Sequence, residues 1–262
     1  MRLVRLGAVD YLNARPLIYG LELRSDLFSL RFDVPSKCAA LLHDGSIDVG
    51  MIPSIEYVRG RDYRIVPALG IVSDGPVASV ALFTTRPLDT IRSIAADTSS
   101  RTSYALLKIL CVERFGIDPD FQPMAPDPEA MLHRCDAALL IGDPALFLDH
   151  QRLGANKIDL GEEWTSLTAL PFVWAFWAGR RDALSSDAVD VLISARDRGV
   201  AASDEVATAY CGPERAERGR AYLRENIQYT VGSREQAGLM KYYELAQHHG
   251  VVNALVPPLF YR

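Results

Sequence analysis

The chain has 262 residues, 49% of them hydrophobic and 23% charged, enough to bury a sizeable core in one large domain or two smaller ones. A formal net charge of -5 argues against a nucleic-acid binder, because counterion release needs a basic face. No stretch reaches 18 apolar residues, and Arg2, Arg5 and Asp10 interrupt the first apolar run, so neither a membrane span nor a signal peptide is expected.

The first element is the strand-like run LVRLGAV, which breaks into DYLNARP; the segment reads as a strand end, with Arg15 and Pro16 beginning a helix behind it. Helix-like LIYGLELRS and alternating LRFDVP come next. Pro35 and Ser36 then open a helix that Gly45 closes, and IDVGMI forms a short buried strand ending at Pro53-Ser54. RIVPALGIVSDGPVASVALFTT reads as one long strand-like run, broken by Pro67, Gly70, Gly75 and Pro76.

A second α/β region starts with the strand Ile94 to Ala96, a polar turn and the helix of RTSYALLKIL. It continues through strand-like DFQPMAP, helical PEAMLHRC and buried DAALLIGDPAL. The strand LPFVWAFWAG comes after it, and from Asp182 onward the patterns are helical up to a short tail. Two α/β units joined by two strand crossings, with a helical C-terminal region folding back, give an α/β bilobal clam-shell. The expected division is residues 1–83 plus 175–262 in one lobe and 84–174 in the other. In such open sheets a ligand sits beyond the carboxyl ends of the strands.

Four segments share one form, a buried strand running into polar residues and a helix start: AVDYLNARPL, VGMIPSIEY, AADTSSRTSYALL and LLIGDPAL. Together they outline a cleft. Thr98, Ser99, Ser100, Thr102 and Ser103 surround one helix N-terminus, where free N–H groups and the dipole attract an anion. Plain capping by a serine explains one hydroxyl, not five. Ser79 stands in an apolar run, where it could satisfy its own backbone or face a ligand. Asp10 and Asp143 sit at strand ends, where they could act as bases or cap helices and pair with arginines. The tryptophans Trp164, Trp174 and Trp177 read as hinge-region core, with a ring-lined pocket as the other possibility. The four scattered cysteines read as buried thiols. No Ser-His-Asp order, nucleotide loop or metal-ligand spacing is present, so no metal or organic cofactor is expected.

The motifs YLNARPL, GSIDVGMIPSIEY, GPVASV, DTSSRTSYALLKIL, LLIGDPAL and DLGEEW…LPFVWAFWAG, in that order, resemble those of the periplasmic-binding-protein-like menaquinone biosynthesis enzymes, of the chorismate dehydratase type. The likeness covers nearly the whole chain. One departure is Thr168-Ala169-Leu170-Pro171-Phe172, where members of the family often carry glycine in place of the alanine. The resemblance implies a type II periplasmic-binding-protein-like fold, a cytoplasmic location and loss of water from chorismate to give 3-(1-carboxyvinyloxy)benzoate without a cofactor. It implies catalytic roles for Asn13 and Ser79. Substrate contacts are expected from Tyr11, Arg15, Ser54, Ser99, Ser100, Arg101, Thr102, Ser103, Gly142 and Asp143. The proton would go to the substrate's own enolpyruvyl carboxylate, with Asp143 in reserve and Asp10 behind it. The rival reading is a cytoplasmic solute-binding or sensor protein for a small aromatic or cyclic carboxylate. Neither a membrane nor a nucleic acid is expected as partner.

Overall fold

In the computed structural model, which describes residues 3–262, the run VRLGAV forms β1 (Val4–Val9), with its last four residues buried. The helix expected directly after it does not form. Residues Leu12–Ile18 and Leu21–Leu23 make two 3-10 turns separated by Gly20 at a φ of 72°. Pro16 lies inside the first turn rather than opening a helix, since its missing N–H and its ring disfavour an α-helical ladder and leave the tighter i to i+3 pattern.

The chain continues through β2 (Phe28–Asp33), α1 (Pro35–Asp44) with proline at its start and Gly45 in the left-handed region at its end, fully buried β3 (Val49–Pro53) and α2 (Ile55–Arg59). The strand-like run is broken at Pro67 and Gly70, as read from the sequence, into β4 (Tyr63–Ile65) and β5 (Ile71–Ser73). Next come β6 (Val80–Thr84), β7 (Ser93–Asp97) and α3 (Arg101–Leu110), which runs on as a π-helical turn over Cys111–Phe115. The chain then forms β8 (Asp120–Met124), α4 (Pro128–Arg134), β9 (Ala137–Ile141), α5 (Gly142–Phe147), β10 (Asn156–Asp159) and α6 (Leu160–Thr168). The long strand β11 (Phe172–Arg180) leads into α7 (Ser186–Ala201), α8 (Ser203–Glu225), kinked at Gly212, and α9 (Ser233–His248).

Two sheets result. The first has the order β2-β1-β3-β11-β4, with β5 also on β11, and the second β10-β6-β9-β7-β8. The expected divisions at residues 83 and 174 fall inside β6 and β11. Val80 to Thr84 pair throughout with β9, whereas β11 pairs with β5 from Phe172 and with β3 from Ala175. The chain therefore passes between the sheets within residues 74–79 and again between Asp159 and Phe172.

The C-terminal helices fold back onto the first sheet. Gly199 of α7 lies so close to the first 3-10 turn that a Cβ would come within 2.1 Å of the Pro16 carbonyl oxygen. Trp164, Trp177, Tyr242, Phe172 and Phe176 are fully buried among these elements. Burial of side chains of this size contributes roughly 1.5–3 kcal/mol each. Ala169, the residue that departs from the family pattern, ends α6 at a φ of 57°, a left-handed position that glycine adopts without strain. Cys38, Cys111 and Cys135 are buried as expected; Cys211 is only half-buried. Burial pushes the Cys38 and Cys111 thiols up to about 12, which keeps them unreactive. No helix among the described residues is long and apolar enough to cross a membrane.

Candidate functional site

Where the strand ends of the two sheets face each other they line a cavity of about 60 Å³. All four segments singled out by their strand-to-helix form reach it: Tyr11 and Asn13, Met51 and Pro53, Ser100, Thr102 and Ser103, and Ile141 with Gly142. Trp174 adds an aromatic wall and donates its indole N–H to Ser73 Oγ at 3.0 Å, so this tryptophan lines the pocket while Trp164 and Trp177 are core. A usual ligand pocket holds roughly 300 Å³ or more, so this cavity is small for one. An open groove of about 670 Å³ on the outside, lined by Arg15, Phe32 and Tyr210, is larger, and the end of β2 reaches it through Phe32, whereas all four strand-to-helix segments meet at the smaller cavity.

Asn13 projects from the first 3-10 turn into the cavity, and its backbone carbonyl accepts a bond from the Tyr229 hydroxyl at 2.9 Å. Ser79 does not line the cavity. It is 1% exposed, and its hydroxyl lies 2.7 Å from that of Tyr222, which also meets the Asn13 side chain. Tyr222 is therefore the link between the two, and its burial raises its phenol well above the ordinary value. No sequence signal marked Tyr222, because a tyrosine at a core position of a long helix carries no pattern of its own.

The hydroxyls around α3 have distinct partners. Ser100 caps the helix by accepting from the Ser103 N–H at 3.2 Å. Ser99 gives its N–H and hydroxyl to Asp97 Oδ1 at 2.8 and 2.6 Å and its side chain also meets Tyr11. The hydroxyl oxygen of Thr102 accepts the Ile55 N–H at 3.2 Å and lies 3.4 Å from Ser54 Oγ, joining α3 to the first lobe. Ser54 serves this junction and does not line the cavity. Burial raises the carboxyl of Asp97 and the phenol of Tyr11, with Ser99 lowering both.

Both arginines expected at the substrate are turned elsewhere. Arg101 pairs with Glu56 at 2.7 Å, alongside Arg59 at 2.8 Å and His43 at 2.9 Å. Glu56 is 1% exposed; burial alone would raise its carboxyl, but the hydrogen bonds from His43 and Arg59 and the Arg101 charge override it and hold it at about 2. Arg15 pairs with Asp10 and lies over the Tyr210 ring at 4.8 Å, in the outer groove. Asp10 is thereby occupied as well.

Gly142 holds a φ of 62°, and a Cβ there would meet the Tyr11 ring at 2.9 Å, so only glycine admits the ring. Asp143 does not face the cavity. Its Oδ1 accepts the Leu12 N–H at 3.1 Å and its Oδ2 the Tyr210 hydroxyl at 2.5 Å, while burial raises its carboxyl. Both oxygens are thereby engaged across the lobes. One group of possible metal ligands exists among the described residues, Glu113, His248 and His249 at the surface, and none of the three lines the cavity.

A family model described as menaquinone biosynthesis matches residues 4–248. A chorismate dehydratase from Thermus thermophilus is 33% identical over 226 residues, 80% of this chain and 82% of the relative. Among solved structures, protein AF1704 from Archaeoglobus fulgidus superposes with a TM-score of 0.78 at 21% identity, covering 95% of this chain and 98% of that one. The alkanesulfonate-binding protein SsuA from Xanthomonas axonopodis pv. citri, bound to MOPS, gives 0.71 at 17% identity over 97% and 96%. These structural likenesses establish the periplasmic-binding-protein fold expected from the sequence.

Proposed function

The chain belongs to the menaquinone biosynthesis family, and from that membership we propose that it is a chorismate dehydratase, a hydro-lyase that converts chorismate to 3-(1-carboxyvinyloxy)benzoate and water. The observation that carries the reading is the chemistry of the cavity between the strand ends. It presents an amide, hydroxyls at a helix start and aromatic walls, and among the described residues no Asp, Glu, His, Lys or Arg side chain lines it.

A substrate with two carboxylates has to be held there by N–H and hydroxyl donors. The N-terminus of α3, with Ser100 and Ser103 beside it, suits one carboxylate through its free N–H groups and dipole. Elimination requires a ring proton and the neighbouring hydroxyl to leave. Since no protein base lines the cavity, the enolpyruvyl carboxylate of the substrate takes the proton, an intramolecular transfer favoured by proximity. The C–O bond breaks, the hydroxyl departs as water with that proton, and the ring becomes aromatic. Asn13 donates to the departing hydroxyl, and Ser79 acts through Tyr222 on the same side. This chemistry suits a soluble metabolite and a cytoplasmic setting.

Incubation with chorismate is expected to give many equivalents of the aromatic product per protein, followed by ultraviolet absorbance, at a rate unchanged by EDTA. Stoichiometric binding with no product would favour a sensor instead. A rate abolished by EDTA and restored by zinc or magnesium would reject the cofactor-free mechanism.

A further inference from the structure

The chain crosses from the first sheet to the second through DGPVAS, and just before Ser79 it makes an unusual turn. The Ser79 N–H donates to the Val77 carbonyl at 2.7 Å, closing a three-residue turn around Ala78 at a φ of 61°. This is the rare, strained form of the γ-turn, in a conformation that side-chain-bearing residues seldom adopt. Strain of this kind persists only where the surroundings impose it.

The imposing partner is the stretch DLGEEWT opposite. Asp159 Oδ1 accepts the Val77 N–H at 2.9 Å and Oδ2 the Ala78 N–H at 2.7 Å, while Lys157 Nζ donates to the Ala78 carbonyl at 2.5 Å. A Cβ on Gly161 would fall 2.6 Å from the Gly75 carbonyl oxygen and 3.0 Å from the Val77 nitrogen, so the absent side chain lets α6 close on the crossing. Thr165 Oγ1 accepts the Gly75 N–H at 3.0 Å. Asp159 also caps α6, through Oδ1, which accepts the N–H groups of Gly161 and Glu162. Capping leaves Oδ2 and Lys157 without a role.

We propose that Asp159 is a positioning residue for the dehydration: its carboxylate moulds the Val77-Ala78 backbone so that the Ser79 hydroxyl meets Tyr222 and, through it, the Asn13 amide. The inference rests on the chorismate dehydratase reading. Without the second carboxylate oxygen, Ala78 relaxes toward an unstrained conformation and the Ser79 hydroxyl swings from its 2.7 Å contact. Small misplacements of this sort cost far more in rate than in stability.

The test compares wild type, Asp159→Asn and Asp159→Asn/Ala78→Gly. Asparagine remains a good cap but replaces one acceptor with an NH2 group that cannot accept the Ala78 N–H. We expect kcat for Asp159→Asn to fall about tenfold or more with KM changed less than about twofold, and the amides of residues 77–79 to exchange faster with deuterium. Adding Ala78→Gly should restore most of the lost kcat, since glycine takes a positive φ freely. A lower thermal midpoint with unchanged kcat per folded molecule and unchanged exchange at 77–79 makes Asp159 a cap alone and overturns the proposal. So does a double variant no faster than the single one. Should wild type leave chorismate intact, the dehydratase reading falls, and so does a positioning role in that reaction. The exchange data then report separately whether Asp159 orders the segment.

Discussion

Asn13→Ala is expected to lower kcat about a hundredfold or more while leaving the thermal midpoint nearly unchanged, because removal of one well-aimed donor from a water-poor site costs that much in rate. The backbone of the turn does not depend on the amide. The Asn13 carbonyl keeps its bond from Tyr229, and Leu12 and Ala14 on either side stay buried. The variant loses only the polar group that faces the cavity and meets Tyr222. Ser79→Ala should act in the same direction, and the double variant should cost less than the two single effects multiplied, since the residues share Tyr222. Steady-state kinetics beside thermal melts check this. An Asn13→Ala protein that unfolds readily yet keeps its turnover per folded molecule makes Asn13 a turn residue.

Glu56→Gln should destabilise the protein by about 3–5 kcal/mol, the usual cost of removing one partner from a buried charged cluster. Three cationic or protonatable groups converge on this carboxylate, and Arg101 comes from the other lobe. The pH dependence has a definite sign. The carboxyl is held at about 2 in the folded protein against 4.5 ordinarily. Its contribution, about 3 kcal/mol by linkage, is therefore fully present above the unfolded value and is lost as the pH falls toward about 2. Denaturant unfolding should show a large gap between wild type and variant at pH 7 that narrows by pH 3. A gap independent of pH contradicts the electrostatic origin.

Much of the site could be read from the chain because the strand-to-polar-turn grammar is local. A buried strand that breaks off into Tyr-Leu-Asn or Thr-Ser-Ser must place those residues at the carboxyl end of the sheet, and all four such segments do converge on the cavity. The partners of each polar group were not legible. Arg15 and Arg101 looked like carboxylate binders, but Asp10 lies five residues away from the first and buried Glu56 on another lobe takes the second. Five hydroxyls near one helix start look like an anion cradle; Ser100, Thr102 and Ser103 do line the cavity, while Ser99 also bonds Asp97 and Thr102 also bonds the lobe junction. Tyr222 stands 143 positions from the serine it contacts, a distance that no local pattern encodes. The same holds for Asp143, whose partners Leu12 and Tyr210 come from the first lobe. Charge and hydroxyl content are visible in a sequence; which groups satisfy one another depends on the tertiary fold.

The central claim is that chorismate is dehydrated in the cavity between the two sheets, and a crystal structure with 3-(1-carboxyvinyloxy)benzoate bound tests it most directly. The account predicts the product between Asn13, Trp174 and the start of α3, with a carboxylate within hydrogen-bonding distance of Ser100 or Ser103. Product seated instead in the outer groove of Arg15, Phe32 and Tyr210, with the cavity empty, would contradict it.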